Sequence, residues 1–272
     1  MTTNAAREAG SRVTDRFRLD GQVALVTGAS HGIGAGLAQA FAEAGADVAL
    51  AARTVNDLDR VASGIRALGR KALVVPTDVS DLDAIVSMVA RTVETYGHLD
   101  ILLNAAGVQR RKPIVDVTAD DWNFVMDVNA RGAFFACQAA ARAMIPRKQG
   151  KIIHIASMTS HRGFADIALY GFSKAGVVQA TKTMAVEWAR YNIQVNAIAP
   201  GWISTPMTDT MSQPRKDWVN THVPQGQFGV PADIAGMAVY LGSSASDYVT
   251  GQTFNVDGGF TAGHPWPSLD SG

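Results

Sequence analysis

"QVALVTGASHGIGAGLAQAFAEA", residues 22–44, holds a short apolar run, a glycine-studded loop and then a helical repeat. The run from Val23 to Thr27 reads as a buried strand, and Leu37, Phe41 and Ala44 recur at the spacing of one helical face. Between them Gly28, Gly32 and Gly34 allow a tight turn and close backbone approach, and Ser30, His31 and Ile33 complete the loop. A glycine-rich loop that follows a strand and opens a helix presents backbone N–H groups and the positive end of the helix dipole to phosphate.

The same alternation continues along the chain. "ADVALAAR", "KALVVPTDV", "LDILLNAAG", "GKIIHIAS", "IQVNAIAPG" and "QTFNVDGG" read as six further strands, each separated from the one before by room for a helix. Strands that are apolar nearly throughout, joined by crossovers, imply a parallel sheet covered on both faces. The expected fold is therefore α/β: a doubly wound, Rossmann-type, seven-stranded parallel sheet. Ligands of such sheets bind at the carboxyl ends of the strands, so the endings "TGASHGIG", "AAR", "TDV", "NAAG", "IAS" and "APGWIST" are expected to share one crevice.

At 272 residues the chain fits one α/β domain over 19–260, with 1–18 as a flexible N-terminal extension and 261–272 as an irregular C-terminal tail. Trp266 in that tail is a candidate to cover a neighbouring surface. Lys plus Arg and Asp plus Glu number 24 each, so the overall charge favours neither nucleic acid nor an anionic membrane. No run approaches the ~18 apolar residues of a membrane span, and the first residues lack the apolar core of a secretory signal. The lone Cys137, in "GAFFACQAAA", reads as a small core residue and suits a reducing, cytoplasmic setting. A small-molecule partner is the expectation, without nucleic acid or membrane.

"YGFSK", residues 170–174, sets a phenol and an amine four positions apart on one helical face. A tyrosine with a pKa near 10 is a poor base at neutral pH, but a nearby lysine charge favours its phenolate. Tyr170 thus reads as a general acid in reduction and a base in oxidation, with Lys174 as its modulator. His154 and His161 flank Ser157, yet strand alternation directs His154 inward, so a hydrolase triad is set aside.

The spacing TGxxxGxG from Thr27 to Gly34, "NAAG" at 104–107, Ser157, Tyr170 with Lys174, and "PGWIST" at 200–205 together resemble the short-chain dehydrogenase/reductase family over roughly residues 19–260. The resemblance implies a catalytic tetrad of Asn129, Ser157, Tyr170 and Lys174, with no catalytic metal. In it Ser157 donates to the substrate carbonyl, Asn129 organises a water-linked proton route to Lys174, and Lys174 also holds the nicotinamide ribose. It further implies that Asp78 meets the adenine amino group, that Val79 contributes backbone contact, and that Asn104 belongs to the cofactor site. Ala105 replaces the second asparagine of the commoner "NNAG". Pro200 opens the loop in which Ile203 and Thr205 are expected to contact the nicotinamide carboxamide.

Cofactor choice rests on the end of the second strand. An acid there binds the ribose of NAD, whereas NADP needs a cation. Ala52 stands in the acid's place and Arg53 follows, so NADP(H) is the preferred cofactor, NAD(H) remaining an alternative, and His31 is a candidate second phosphate contact.

The substrate end is less determined. Residues 206–230 read as a long irregular lid, in which Met207, Met211 and Trp218 are candidate substrate contacts. Arg110 and Arg111 follow "NAAG" and suit a carboxylate. "GVQRRKPI", "IIHIASMTSHRG" and "SASDYVTGQTFNVDGG" are similar to stretches of gluconate 5-dehydrogenases and 2-deoxy-D-gluconate 3-dehydrogenases, while 3-oxoacyl-acyl-carrier-protein reductases share much of the pattern. The expected function is hydride transfer between NADP(H) and a secondary alcohol or ketone, such as a sugar acid or polyol. The alternatives are a 3-oxoacyl-thioester reductase and, remotely, a non-catalytic nucleotide sensor. The alanine-rich helices around Cys137 and after Tyr170 point to a homotetramer, with a dimer as the fallback.

Overall fold

A computed structural model describes residues 12–263. Seven parallel strands form one sheet in the order β3-β2-β1-β4-β5-β6-β7. They are β1 (Val23–Thr27), β2 (Asp47–Ala52), β3 (Ala72–Pro76), β4 (Ile101–Asn104), β5 (Gly150–Ile155), β6 (Ile193–Pro200) and β7 (Thr253–Val256). The connecting helices are α1 (Gly32–Glu43), α2 (Val55–Ala67), α3 (Leu82–Tyr96), α4 (Ala119–Met126), α5 (Ala133–Met144), α6 (Ala168–Trp188), α7 (Pro206–Asp209), α8 (Gln213–His222) and α9 (Pro231–Gly242). All seven predicted strands are present.

The two-residue alternation of each strand divides the core. Ala24, Val26, Val48, Leu50, Ile101 and Leu103 pack with Phe41 of α1, Leu58 of α2 and Ile234 of α9. Leu25, Ala49, Ala51, Leu102 and Ile152 point to the other face, against Met88 of α3, Met144 of α5 and Trp188 of α6. Both faces being covered explains why the strand sequences are apolar throughout.

The order reverses at β1, which pairs with β2 on one side and β4 on the other. The loops leaving β1 and β4 therefore part there and open a crevice. Glycine makes the walls of that crevice close. A Cβ on Gly34 would lie 2.2 Å from the Gly28 carbonyl oxygen, and one on Gly28 would lie 2.7 Å from Ala106 Cα. Thr27 fastens the same junction, because its hydroxyl accepts the N–H of Ala105 at 3.2 Å and of Ala106 at 3.3 Å.

Two boundaries differ from the expectation. Residues Val13–Phe17, assigned above to a flexible extension, form a helical turn in which the Arg16 guanidinium donates to the Ser244 carbonyl and Phe17 packs on Tyr240. Residues 206–230, expected to be irregular, contain α7 and α8, each with a proline at its start, where a missing N–H costs no helical bond. Residues 1–11 and 264–272, including Trp266, lie outside the described residues. Among the described residues no helix is long and apolar enough to cross a membrane.

Candidate active site

The six strand endings do share one crevice. A cavity of about 670 Å³ runs from Arg53 and Thr54, past Gly28, His31, Gly32 and Gly34, to Tyr170 and Lys174. Ser30, Ile33, Asp78, Val79 and Thr205 also line it. A second cavity of about 340 Å³ adjoins the first, sharing Ile33, Gln109, Tyr170, Thr205 and Met207, and is lined by Ser157, Pro200 and Ile203. Asn104 and Asn129 stand behind these walls, both buried.

The glycine cradle suits a pyrophosphate. Its backbone lies within van der Waals reach of the opposite wall only because Cβ atoms are missing, and α1 begins at Gly32 with its free N–H groups facing the loop. His31 occupies the N-cap position in extended conformation without a side-chain capping bond, which leaves its exposed ring available to a ligand.

At the far end of this cavity, Ala52 closes β2 and Arg53 is exposed, making no hydrogen bond or salt bridge with any described residue. The nearby Asp57 is instead paired with Arg60 at 3.1 Å. Asp78 accepts hydrogen bonds from the N–H of Ser80 at 2.9 Å and its hydroxyl at 2.7 Å. Those bonds chiefly, aided by the Arg53 charge, hold the Asp78 carboxyl below its usual pKa. Asp81 is the residue that caps α3, accepting from the N–H groups of Asp83 and Ala84.

At the chemical end α6 brings Tyr170 and Lys174 to the mouth of β5. Lys174 is buried, donates to the Ile155 carbonyl oxygen at 2.7 Å and places Nζ 5.7 Å from the centre of the Tyr170 ring. Burial lowers its pKa to about 8. The Tyr170 phenol is pushed above its ordinary value by burial, and hydrogen bonding with Ser157 opposes that rise. In the protein alone desolvation of the phenol is the larger influence, and the Lys174 ammonium donates one of its hydrogen bonds to a backbone carbonyl.

Ser157 follows β5 and caps a short helical turn, its oxygen accepting from the Thr159 N–H at 3.2 Å. That bond uses a lone pair and leaves the hydroxyl proton for the Tyr170 oxygen or for a ligand. Asn129 lies in a π-helical segment, Asp127–Gly132, between α4 and α5. Its side chain accepts from the Val108 N–H at 2.8 Å and donates to the Val108 carbonyl at 2.9 Å and the Ser173 hydroxyl at 3.1 Å. A Cβ on Gly107 would lie 3.5 Å from Asn129 Oδ1 and 3.6 Å from Lys174 Nζ, so the two side chains flank that glycine. Asn104 donates to Cys137 Sγ at 3.2 Å, and Cys137 in turn contacts His154 Nε2 at 3.3 Å. Burial raises the pKa of the Cys137 thiol and lowers that of His154 to about 4, so both are neutral core groups.

The paired arginines separate. Arg110 turns outward, its guanidinium 4.1 Å from the centre of the Phe124 ring and 3.9 Å from Asp121. Arg111 lines both cavities. Partial burial, then the Arg215 guanidinium, lower its pKa, and Asp166 opposes them. Met207, Met211 and Trp218 all line the second cavity. Sequence reasoning did not find Gln109, Asp166 or Arg215 there. Asp166 and Arg215 arrive from segments with no motif, and only their ion pair at 3.5 Å reveals them.

Comparison with known proteins agrees with this architecture. A family model described as Enoyl-(Acyl carrier protein) reductase matches residues 28–261. Gluconate 5-dehydrogenase of Gluconobacter oxydans (strain 621H) is 43% identical over 249 residues, covering 91% of this chain and 97% of its own. A 3-oxoacyl-[acyl-carrier-protein] reductase of Thermotoga maritima is 38% identical over 89% of this chain and 99% of its own. The crystal structure of a gluconate 5-dehydrogenase from Burkholderia cenocepacia J2315, in complex with NADP and tartrate, superposes with a TM-score of 0.89 at 40% identity, covering 92% of this chain and 99% of that one. The chain belongs to the short-chain dehydrogenase/reductase family, NAD(P)-dependent oxidoreductases that act on CH–OH groups.

Proposed function

We propose that the protein is an NADP(H)-preferring oxidoreductase that interconverts a secondary alcohol and a ketone in a small organic acid. The observation that carries the reading is the meeting of two cavities at Tyr170, the first with Lys174, a glycine cradle and an Arg53 unpaired among the described residues, the second with Ser157 and Arg111. Gly28, Ser30, Gly32, Ile33 and Gly34 would hold the pyrophosphate, with Arg53 and His31 beside the ribose phosphate. Asp78 and Val79 would border the adenosine half, with Asn104 buried behind the wall, and Pro200, Ile203 and Thr205 would border the carboxamide. Bound there, the nicotinamide supplies the hydride chemistry.

The remaining work falls to the side chains. In reduction, Tyr170 donates its proton to the substrate oxygen as hydride reaches the carbon, and the alcohol results. Ser157 donates a hydrogen bond to the same oxygen and stabilises its growing negative charge. Lys174 orients Tyr170 and the ribose, and Asn129 holds Val108 and Ser173 so that the Lys174 pocket keeps its shape. In oxidation the proton returns to Tyr170. Arg111 is placed to pair with the substrate carboxylate.

Sugar acids, named for the Gluconobacter relative, are one class of such substrates, and the Thermotoga relative supports 3-oxoacyl thioesters as a second reading. The test is a panel of polyols, sugar acids, oxo acids and acyl thioesters, each with NADP(H) and NAD(H). Turnover of an acid with NADP(H) supports the reading. Absence of turnover of any alcohol or ketone, with cofactor bound, refutes it. We also place the protein in the cytoplasm, consistent with its buried free thiol.

A further inference from the structure

The substrate cavity carries two kinds of lining. Arg111, Arg215 and Asp166 gather in one cluster, two cations to one anion, with Arg215 on α8 paired to Asp166. Met158, Phe164, Trp202, Met211, Trp218 and Val219 form an apolar wall. Its rings support one another. Phe164 meets Trp202 edge-on at 5.8 Å, and Phe260 behind them stacks on Phe164 at 5.9 Å and meets Trp218 at 6.1 Å.

This wall offers few groups to a hydroxyl. The Trp202 indole N–H and the Thr159 hydroxyl are both enclosed, each without a hydrogen-bond partner among the described residues. Thr208 donates to the Ile203 carbonyl at 2.7 Å and accepts the Thr205 N–H at 2.9 Å. A polyhydroxylated chain laid on it would bury hydroxyls without partners, each lowering affinity by about fivefold to a hundredfold. An apolar chain gains instead, about fourfold for each methylene buried.

Resting on the reading of the site as a reductase of organic acids, we infer that the substrate is an oxo or hydroxy acid with an apolar body. Its carboxylate lies between Arg111 and Arg215, and its hydrocarbon part lies on the aromatic wall. The net positive charge of that cluster matches one carboxylate, and the body replaces water along a lining that offers few hydrogen-bonding groups to hydroxyls. The sugar acid suggested by the relatives' names is disfavoured by the same surface.

The deciding experiment measures kcat/KM with NADPH for 4-oxopentanoate through 4-oxodecanoate and for 5-oxo-D-gluconate. The expected result is a rise of about threefold per methylene over the first members, with 5-oxo-D-gluconate below the longer acids. Trp218→Ala flattens that slope, and Arg215→Gln raises KM for every acid in the series. A flat series, or a preference for 5-oxo-D-gluconate, overturns the inference while leaving the reductase reading intact. If neither kind of acid is turned over, the reductase reading itself fails for organic acids. Calorimetry of the NADP-loaded protein then still decides the shape of the cavity: tighter binding of decanoate than of gluconate supports the apolar wall, and the reverse order overturns it.

Discussion

Lys174 Nζ donates to the Ile155 carbonyl oxygen at 2.7 Å, tying the second turn of α6 to the carboxyl end of β5. The bond orients a buried ammonium whose pKa has fallen to about 8 from an ordinary 10.5. Below pH 8 the lysine is protonated in both folded and unfolded states, and its burial costs stability. Between about pH 8 and 10.5 the unfolded chain holds more protons, so this contribution makes stability rise with pH. Lys174→Met is therefore expected to abolish turnover yet stabilise the fold at pH 7, by about 2 kcal/mol after loss of the hydrogen bond. The gain should shrink at pH 10. Urea denaturation of both proteins at the two pH values checks it, and a less stable variant at pH 7 refutes it.

Tyr170→Phe keeps the ring's packing and removes the proton. Cofactor affinity should stay within about twofold, while kcat falls by the 10²–10⁴-fold typical of general acid–base catalysis. Retention of more than about a tenth of the rate would assign the proton to another group.

Arg53 is predicted to choose the cofactor. One charge-assisted contact to a 2′-phosphate is worth roughly 1.5–3 kcal/mol, or about ten- to over a hundredfold in affinity. Replacing Ala52 with Asp and Arg53 with Ser should weaken NADP by that factor and improve NAD. Titration of the wild type comes first, and tighter binding of NAD than of NADP would show that Arg53 does not engage the phosphate.

Gly34→Ala tests the cradle, since its Cβ would sit 2.2 Å from the Gly28 oxygen. Neither backbone atom can yield without moving the loop off β1. The expected outcome is loss of nucleotide binding, read by fluorescence titration, with thermal unfolding lowered by several degrees.

Association is the fifth property to test by mutation. Phe134 on α5 is 47% exposed, and Phe172 and Val186 on α6 are 58% and 82% exposed. Apolar residues on the outer faces of adjacent helices mark a surface for a second copy. A homotetramer, or failing that a dimer, is expected by light scattering at micromolar concentration, and Phe172→Glu should shift it towards smaller species. A wild-type monomer would refute the proposal.

Residues of the local motifs reached their expected places because each motif follows a strand. Gly28 to Gly34, Asp78, Asn104, Ser157 and Thr205 each stand just after the carboxyl end of a strand, or at it, so once the sheet is parallel they converge without further information. Tyr170 and Lys174 needed only helical spacing. Strand alternation likewise made one prediction about His154: it points into the core beside Cys137.

Four things were decided only in three dimensions. Arg110 and Arg111 are sequence neighbours, but Phe124 captures one and the cavity the other, a choice made by the packing around them. Asp166 and Arg215 meet across 49 positions of sequence, and no local pattern encodes an ion pair between a loop and a helix. The aromatic wall draws Phe164, Trp202, Trp218 and Phe260 from four separate segments. The phenol's raised pKa depends on how much water the assembled crevice excludes. The parallel strands, cofactor cradle and reacting pair are thus properties of short stretches whose periodicity dictates their placement. The polarity of the substrate cavity and the ionisation of its acid are properties of packing, since both depend on which distant side chains displace water from one small volume.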